Sequence, residues 1–211
     1  QLHKPISGCS RQSVNRCQHA DMLNEFSLYA KALNDLLAGR DWKDVEILAE
    51  SLNSAWRDGK QIFLCGNGGS AANALHIAND LLYGVGSGNR DGLKVDALTS
   101  NTSVLTCLAN DVGYEEIFSK QLSAKGNTGD LLIVLSGSGN SQNVVRALEV
   151  GNEIGMVTFA VVGYSGGRCL KMGQNIIHFN INDMQISEDC QLIVGHMCMQ
   201  SLKKRSCSDT N

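Results

Sequence analysis

Apolar residues recur along this chain with two periods. From Met22, the positions Leu23, Phe26, Ala30, Leu33 and Leu37 fall at helical spacing and stop at Gly39. Asp41 then opens a second helical pattern, with Val45, Leu48, Leu52 and Trp56 on one face and Gly59 at its end. Five short apolar runs follow: Gln61–Cys65, Leu93–Leu98, Leu131–Leu135, Val157–Val162 and Ile176–Phe179. None alternates polar with apolar, so both faces of each strand are expected to be covered, as in a parallel sheet. Helical patterns separate them, at Ser70–Tyr83, Thr102–Asn110, Glu115–Ser123, Ser141–Ile154 and Gly166–Met172, and a last helix is expected from Met184 to Leu202. The order predicts an α/β fold: a doubly wound five-stranded parallel sheet flanked by helices, with an N-terminal helical extension. Residues 22–211 read as a single domain. Residues 1–21 show neither period, hold the only proline and read as a flexible tail with no apolar stretch of the secretory kind.

Charge narrows the chemistry. The chain has 18 basic and 21 acidic residues; with Lys4, Arg11 and Arg16 in the tail, the patterned body is left with 15 against 21, a net charge near −6. Such a body has no basic field for nucleic acid or an acidic membrane, so an anionic ligand must be held locally. No apolar run reaches the roughly 18 residues of a membrane-spanning helix, and a cytoplasmic protein is expected. The 8 cysteines form no C-x-x-C and no short repeated spacing, so they mark neither a zinc knuckle nor a redox pair. Cys65, Cys107, Cys190 and Cys198 read as small hydrophobes within apolar periodic segments, in a reducing compartment.

Two loops are suited to an anion. After the first strand comes Cys65-Gly66-Asn67-Gly68-Gly69-Ser70, and after the third comes Ser136-Gly137-Ser138-Gly139-Asn140-Ser141; each opens a helix. Glycines let the backbone approach a ligand, and a helix N-terminus offers unpaired N–H groups and partial positive charge. The serines add neutral donors. Neither loop is G-x-G-x-x-G or a Walker motif, so a nucleotide is not indicated. Both lie beyond the carboxyl ends of strands, where open parallel sheets bind their ligands. Elsewhere, His76 and Asp80 are four residues apart on one helix face. Glu188 and His196 are separated by about 80° around the last helix. Two imidazoles and two carboxylates make a plausible divalent-metal set, zinc favoured by the histidines.

The runs CGNGGSAANALHIANDL, LANDVGYEEIF, GDLLIVLSGSGNSQNVVRALE and MQISEDCQLIVGHM, in this order and spacing, resemble the sugar isomerase (SIS) domain family, and within it the phosphoheptose isomerase branch. The resemblance spans residues 22–202. It implies a homotetramer with active sites at subunit interfaces, and an aldose-ketose isomerase converting sedoheptulose 7-phosphate to D-glycero-D-manno-heptose 7-phosphate for lipopolysaccharide or capsule synthesis. By position it implies that Asn67, Gly68, Gly69, Ser70, Ser136, Gly137, Ser138 and Ser141 bind phosphate, that Asp111 and Glu188 approach the sugar, and that Asp80 and His196 are the acid/base pair. Zn²⁺, one per subunit, is then expected on His76, Asp80, Glu188 and His196. Three positions depart from the better-known members: Asp80 stands for a Glu, Glu188 for a Gln and Gly84 for an Arg, for which Arg90 is a distant substitute. Two readings from other classes remain. One is a non-catalytic SIS tetramer that binds a replication-initiator protein, a branch that lacks a histidine at the position of His196; the other is a sugar-phosphate sensor.

Overall fold

The computed structural model describes residues 11–86 and 91–208; Arg90 lies outside the described residues, as do residues 1–10. The chain divides between Arg40 and Asp41 into two units. The first unit is the helix α1 (Arg11–Ala38), which starts within the segment expected to be a flexible tail. The division between the two units follows α1, where Gly39 breaks the helix. On α1, Phe26, Leu28 and Tyr29 are exposed.

The second unit opens with α2 (Lys43–Arg57), whose first amide, that of Lys43, donates to Asp41 Oδ1 at 3.1 Å. Then come β1 (Ile62–Cys65), α3 (Gly69–Asn79), a π-helical turn (Asp80–Gly84) and β2 (Val95–Ala97). After α4 (Thr102–Asp111) and a 3₁₀ turn at Tyr114–Glu116 lie α5 (Ser119–Lys125), β3 (Leu131–Ser136), α6 (Gln142–Ile154) and β4 (Val157–Val162). The unit closes with α7 (Cys169–Met172), β5 (Asn175–His178) and α8 (Met184–Ser208). All strands are parallel in the order β2-β1-β3-β4-β5. The five-stranded, doubly wound sheet read from the sequence is thus present, with β1 and β2 shorter than the apolar runs that foretold them and β5 shifted by one residue.

Both faces are covered, which is why the strands are apolar throughout. Phe63, Leu132, Val134, Ala160 and Val162 pack with Phe118, Leu122, Val144 and Leu148 from α5 and α6. On the other face Leu64, Ile133 and Val161 meet Leu48 and Leu52 of α2, Ile77 of α3 and Val194 of α8. Asp183 caps α8, accepting from the Ile186 amide at 2.9 Å. His178 bonds the Tyr164 carbonyl through Nε2 at 2.7 Å, a structural role.

Strand order fixes where a ligand can bind. The chain leaves β1 toward β2 and returns past β1 to β3, so the connections from β1 and β3 diverge and leave a crevice at the carboxyl ends of these paired strands. The two Gly/Ser/Asn loops lie there. Above them α3 and α8 pack in parallel. Gly69 faces Glu188, Asn73 faces Gln191, and Gly195 faces Ile77 so closely that a Cβ on Gly195 would lie 2.5 Å from Ile77 Cγ1. The Asn73 amide donates to the Glu188 carbonyl at 2.9 Å and to Gln191 Oε1 at 3.2 Å, which fixes the register of the two helices. Gly195→Val is expected to push them apart and destabilise the fold by about 1–3 kcal/mol, the usual range for overpacking; the thermal unfolding midpoint measures this.

Candidate active site

The two loops enclose a cavity of about 270 Å³ bounded by Asn67–Ser70, Leu135–Ser138, Ser141, Met184 and Glu188. Ser136 Oγ accepts from the Gly139 amide at 3.0 Å and Ser138 Oγ from the Asn140 amide at 3.2 Å, leaving both hydroxyl protons to donate to a ligand. Ser141 is the N-cap of α6 and makes no side-chain cap bond, so its hydroxyl is likewise available. Gly139, at φ +66°, crosses so close to the next loop that a Cβ would stand 2.1 Å from the Gly166 carbonyl oxygen. The N-termini of α3 and α6 both border the cavity.

Asn67 lines the same cavity with its side-chain amide engaged by protein partners. It is paired reciprocally with Asn143, each Nδ2 donating to the other's Oδ1 at 2.8 Å, and it accepts from the Tyr114 hydroxyl at 2.9 Å. The amide pair ties the β1 loop to α6. Asn143, 1% exposed, was missed in the sequence because it sits one residue inside a helix and reads as an ordinary polar position. Cys65, at the mouth of the first loop, is no nucleophile, because complete burial pushes its thiol well above the ordinary range.

A second cluster stands along the same two helices. His76 Nε2 lies 3.0 Å from His196 Nε2, and each is 3.5 Å from Asp80 Oδ2. Asp80 begins the π-helical turn, in which the Val85 amide reaches back to its carbonyl at 3.1 Å; the sequence had indicated uninterrupted α-helix. Gly84 leaves the carboxylate open on one side, since a Cβ there would stand only 4.0 Å from Asp80 Oδ1. These three donor atoms fit a divalent ion. Zinc with tetrahedral bonds of about 2.0–2.1 Å holds its ligand atoms about 3.3 Å apart, and the triangle here has edges of 3.0, 3.5 and 3.5 Å.

Glu188, expected as a fourth ligand, is not in this cluster. The angular separation of about 80° from His196 is only half of the helical geometry: eight residues also carry the chain about 12 Å along the axis. Its carboxylate instead lies over Gly69, in the cavity between the loops, where a Cβ on residue 69 would be 2.2 Å from Glu188 Oε2. Nor does Asp111 line that cavity. It is exposed at the end of α4, its carboxyl held below the usual range by hydrogen bonds from the Asn110 amide and the Cys107 thiol. A larger groove of about 820 Å³ opens at the opposite end of the strands, beside α2, and contains none of the residues singled out for chemistry.

Residues 25–163 match the SIS domain family. The phosphoheptose isomerase of Chlorobaculum parvum is 35% identical over 194 residues, covering 91% of this chain and 93% of its own. That of Aquifex aeolicus is 36% identical over 160 residues, or 76% and 83% of the two chains. The chain belongs to the SIS domain family, in its phosphoheptose isomerase branch. The solved phosphoheptose isomerase of Neisseria gonorrhoeae superposes with a TM-score of 0.80 at 27% identity, covering 89% of this chain and 99% of the other. In this SIS domain the loops, the parallel helix pair and the His76–Asp80–His196 triangle all lie within the second structural unit. Asn143→Ala, which removes both hydrogen bonds of the pair with half-buried Asn67, is expected to lower the free energy of unfolding by about 1–3 kcal/mol, as read by urea denaturation.

Proposed function

We propose that the chain catalyses aldose-ketose isomerisation of a seven-carbon sugar phosphate, sedoheptulose 7-phosphate to D-glycero-D-manno-heptose 7-phosphate, supplying heptose for a cell-surface polysaccharide. One observation carries the reading: the donor-lined cavity at the start of α3 and the His/Asp/His triangle lie on one helix pair, and Gly69 and His76 are separated by about 10 Å along α3. That is the reach of an open seven-carbon chain with phosphate at one end and its carbonyl at the other.

Each end has its task. Ser70, Ser136, Ser138 and Ser141, with the loop amides, bind the phosphate and fix the sugar's register. The isomerisation removes a proton from C1, places one on C2 and moves a hydroxyl proton between the two oxygens by way of an enediol. Asp80 and His196, with Oδ2 and Nε2 3.5 Å apart, are the pair that takes and returns these protons. His76 Nε2, 3.0 Å from His196 Nε2, would face a bound metal beside it, so the part of His76 is to help hold the ion. Zn²⁺ is the cofactor proposed on His76, Asp80 and His196, and when bound it would polarise the sugar carbonyl.

A homotetramer with active sites at subunit interfaces is the assembly proposed. The helices that hold the triangle also expose Leu75 and Met197, and the π turn exposes Leu82 and Tyr83, the last 84% accessible. Apolar surface flanking a reactive cluster is what a second copy of the chain would cover. A cytoplasmic setting is supported by the free state of Cys65, Cys107, Cys169, Cys190 and Cys198; among the described residues no helix is long and apolar enough to cross a membrane. The convergence of His76, Asp80 and His196 favours an enzyme over a replication-initiator partner or a sensor, neither of which needs an acid/base pair.

The purified chain with Zn²⁺ is expected to interconvert sedoheptulose 7-phosphate and an aldoheptose phosphate. His196→Ala should lower turnover by about 10²–10⁴-fold, the typical contribution of a general acid or base, while still binding the sugar phosphate. Binding without turnover of any C5 to C7 sugar phosphate by the unaltered chain would overturn the enzyme reading. His76→Ala should reduce zinc affinity by at least about tenfold, measured by competition with a chromophoric chelator; equal affinity would remove the metal site.

A further inference from the structure

The turn between β4 and α7 holds a residue ill suited to its backbone. Tyr164 has φ of +44° and is the one non-glycine residue at positive φ among the described residues. That region suits glycine and, less well, asparagine; a bulky aromatic residue there is strained. The conformation is imposed from both sides. The Tyr164 amide donates to the Ile181 carbonyl at 3.0 Å, and the Tyr164 carbonyl accepts from His178 Nε2 at 2.7 Å. The preceding amide, that of Gly163, donates to the Gly137 carbonyl at 2.9 Å and so stitches the end of β4 to the serine loop. Glycine would meet these demands at least cost, so the reason for a tyrosine lies in what its side chain does.

That side chain reaches the edge of the cavity between the loops. A Cβ on Gly137 would stand 2.4 Å from Met184 Sδ and 3.9 Å from Tyr164 Cε2, so the thioether and the ring occupy the side of Gly137 toward which a side chain would project. Gly137 lies between Ser136 and Ser138, and both it and Met184 line the cavity. Tyr164 is half-buried, and its hydroxyl, two bonds beyond Cε2, has no hydrogen-bond partner among the described residues. Gly137 brings no side-chain donor to the loop and Met184 is apolar, so this edge has a phenol and no other hydroxyl of its own. A phenol is more acidic than a serine hydroxyl and donates to an anion without adding positive charge, in keeping with the rest of the cavity. We propose that Tyr164 is a further ligand-binding residue, its hydroxyl donating to the phosphoryl group on the side of Gly137. The inference rests on the sugar-phosphate reading of the cavity and adds to it a donor from a third loop, the one after β4. It also accounts for Gly137, since a side chain there would displace both Met184 and the tyrosine ring.

The test compares the full-length chain with Tyr164→Phe and Tyr164→Asn, using inorganic phosphate in calorimetric titration and sedoheptulose 7-phosphate in turnover. Tyr164→Phe keeps the ring against Gly137 and removes only the hydroxyl. It should weaken phosphate binding and raise the Michaelis constant for the sugar phosphate by similar factors, about three- to tenfold, the worth of one neutral hydrogen bond. The loss should fall mainly on the Michaelis constant and not on kcat, as for a contact made equally to substrate and transition state. Tyr164→Asn, which tolerates positive φ, removes the ring as well and should weaken both at least as much; it carries the test, on the same criteria, if the phenylalanine form does not fold. Phosphate affinity and Michaelis constant unchanged within twofold in the phenylalanine form overturn the inference, even where the asparagine form is weakened, because the ring alone would then matter. So does a loss confined to kcat. If the unaltered chain binds neither ligand, the phosphate cavity itself is refuted and the inference falls with it, an outcome distinct from two forms that bind phosphate alike.

Discussion

The register of α3 against α8 is the constraint on which the site depends. Two helices in parallel, brought together where Gly195 meets Ile77 and locked by the hydrogen bonds of Asn73, can only align residues of equal height. Gly69 therefore meets Glu188, and His76 meets His196 two turns further on. Parallel packing places the positive end of α3 at one end of this ladder and the reactive cluster at the other. A one-turn slip would bring neither pair together. The sheet contributes by delivering the β1 loop to the start of α3 beside the β3 loop, through the parallel pairing of Cys65 with Val134.

The cavity and the triangle use opposite physical means. The cavity presents neutral donors fixed by loop geometry, as in the contacts of Gly139 with Ser136 Oγ and of Asn67 with Asn143. Pre-ordered dipoles of this kind need no reorganisation when the ligand arrives. The triangle, by contrast, gathers three titratable groups whose protons and lone pairs compete for one small volume, an arrangement suited either to a cation or to moving a proton. The π turn helps to build it, because it places Asp80 at the junction of two helical geometries while keeping Leu81 buried.

Much of this was legible in the order of residues. Unbroken apolar runs foretold a sheet covered on both faces, and the Gly/Ser/Asn loops gave the position and chemistry of the cavity. Spacing of four residues was enough to pair His76 with Asp80. What was not legible depends on contacts between distant segments. Glu188 was assigned to the metal from its angle around the helix and from the family resemblance, and the packing of α8 on α3 shows that rise along the axis separates it from His196. Asn143 gave no signal, since its partner lies 76 residues away. The start of α1 escaped notice because polar residues 11–21 have no apolar period to betray a helix.

Among the described residues no lysine, arginine or histidine lines the cavity, which also bears on how substrate reaches the protein. A body with net charge near −6 offers a small anion no long-range attraction, so encounters occur at the rate of unsteered diffusion. Capture then depends on how long a molecule stays after contact. A chain built this way gives up speed of association, and its selectivity among phosphorylated solutes is exercised through dissociation.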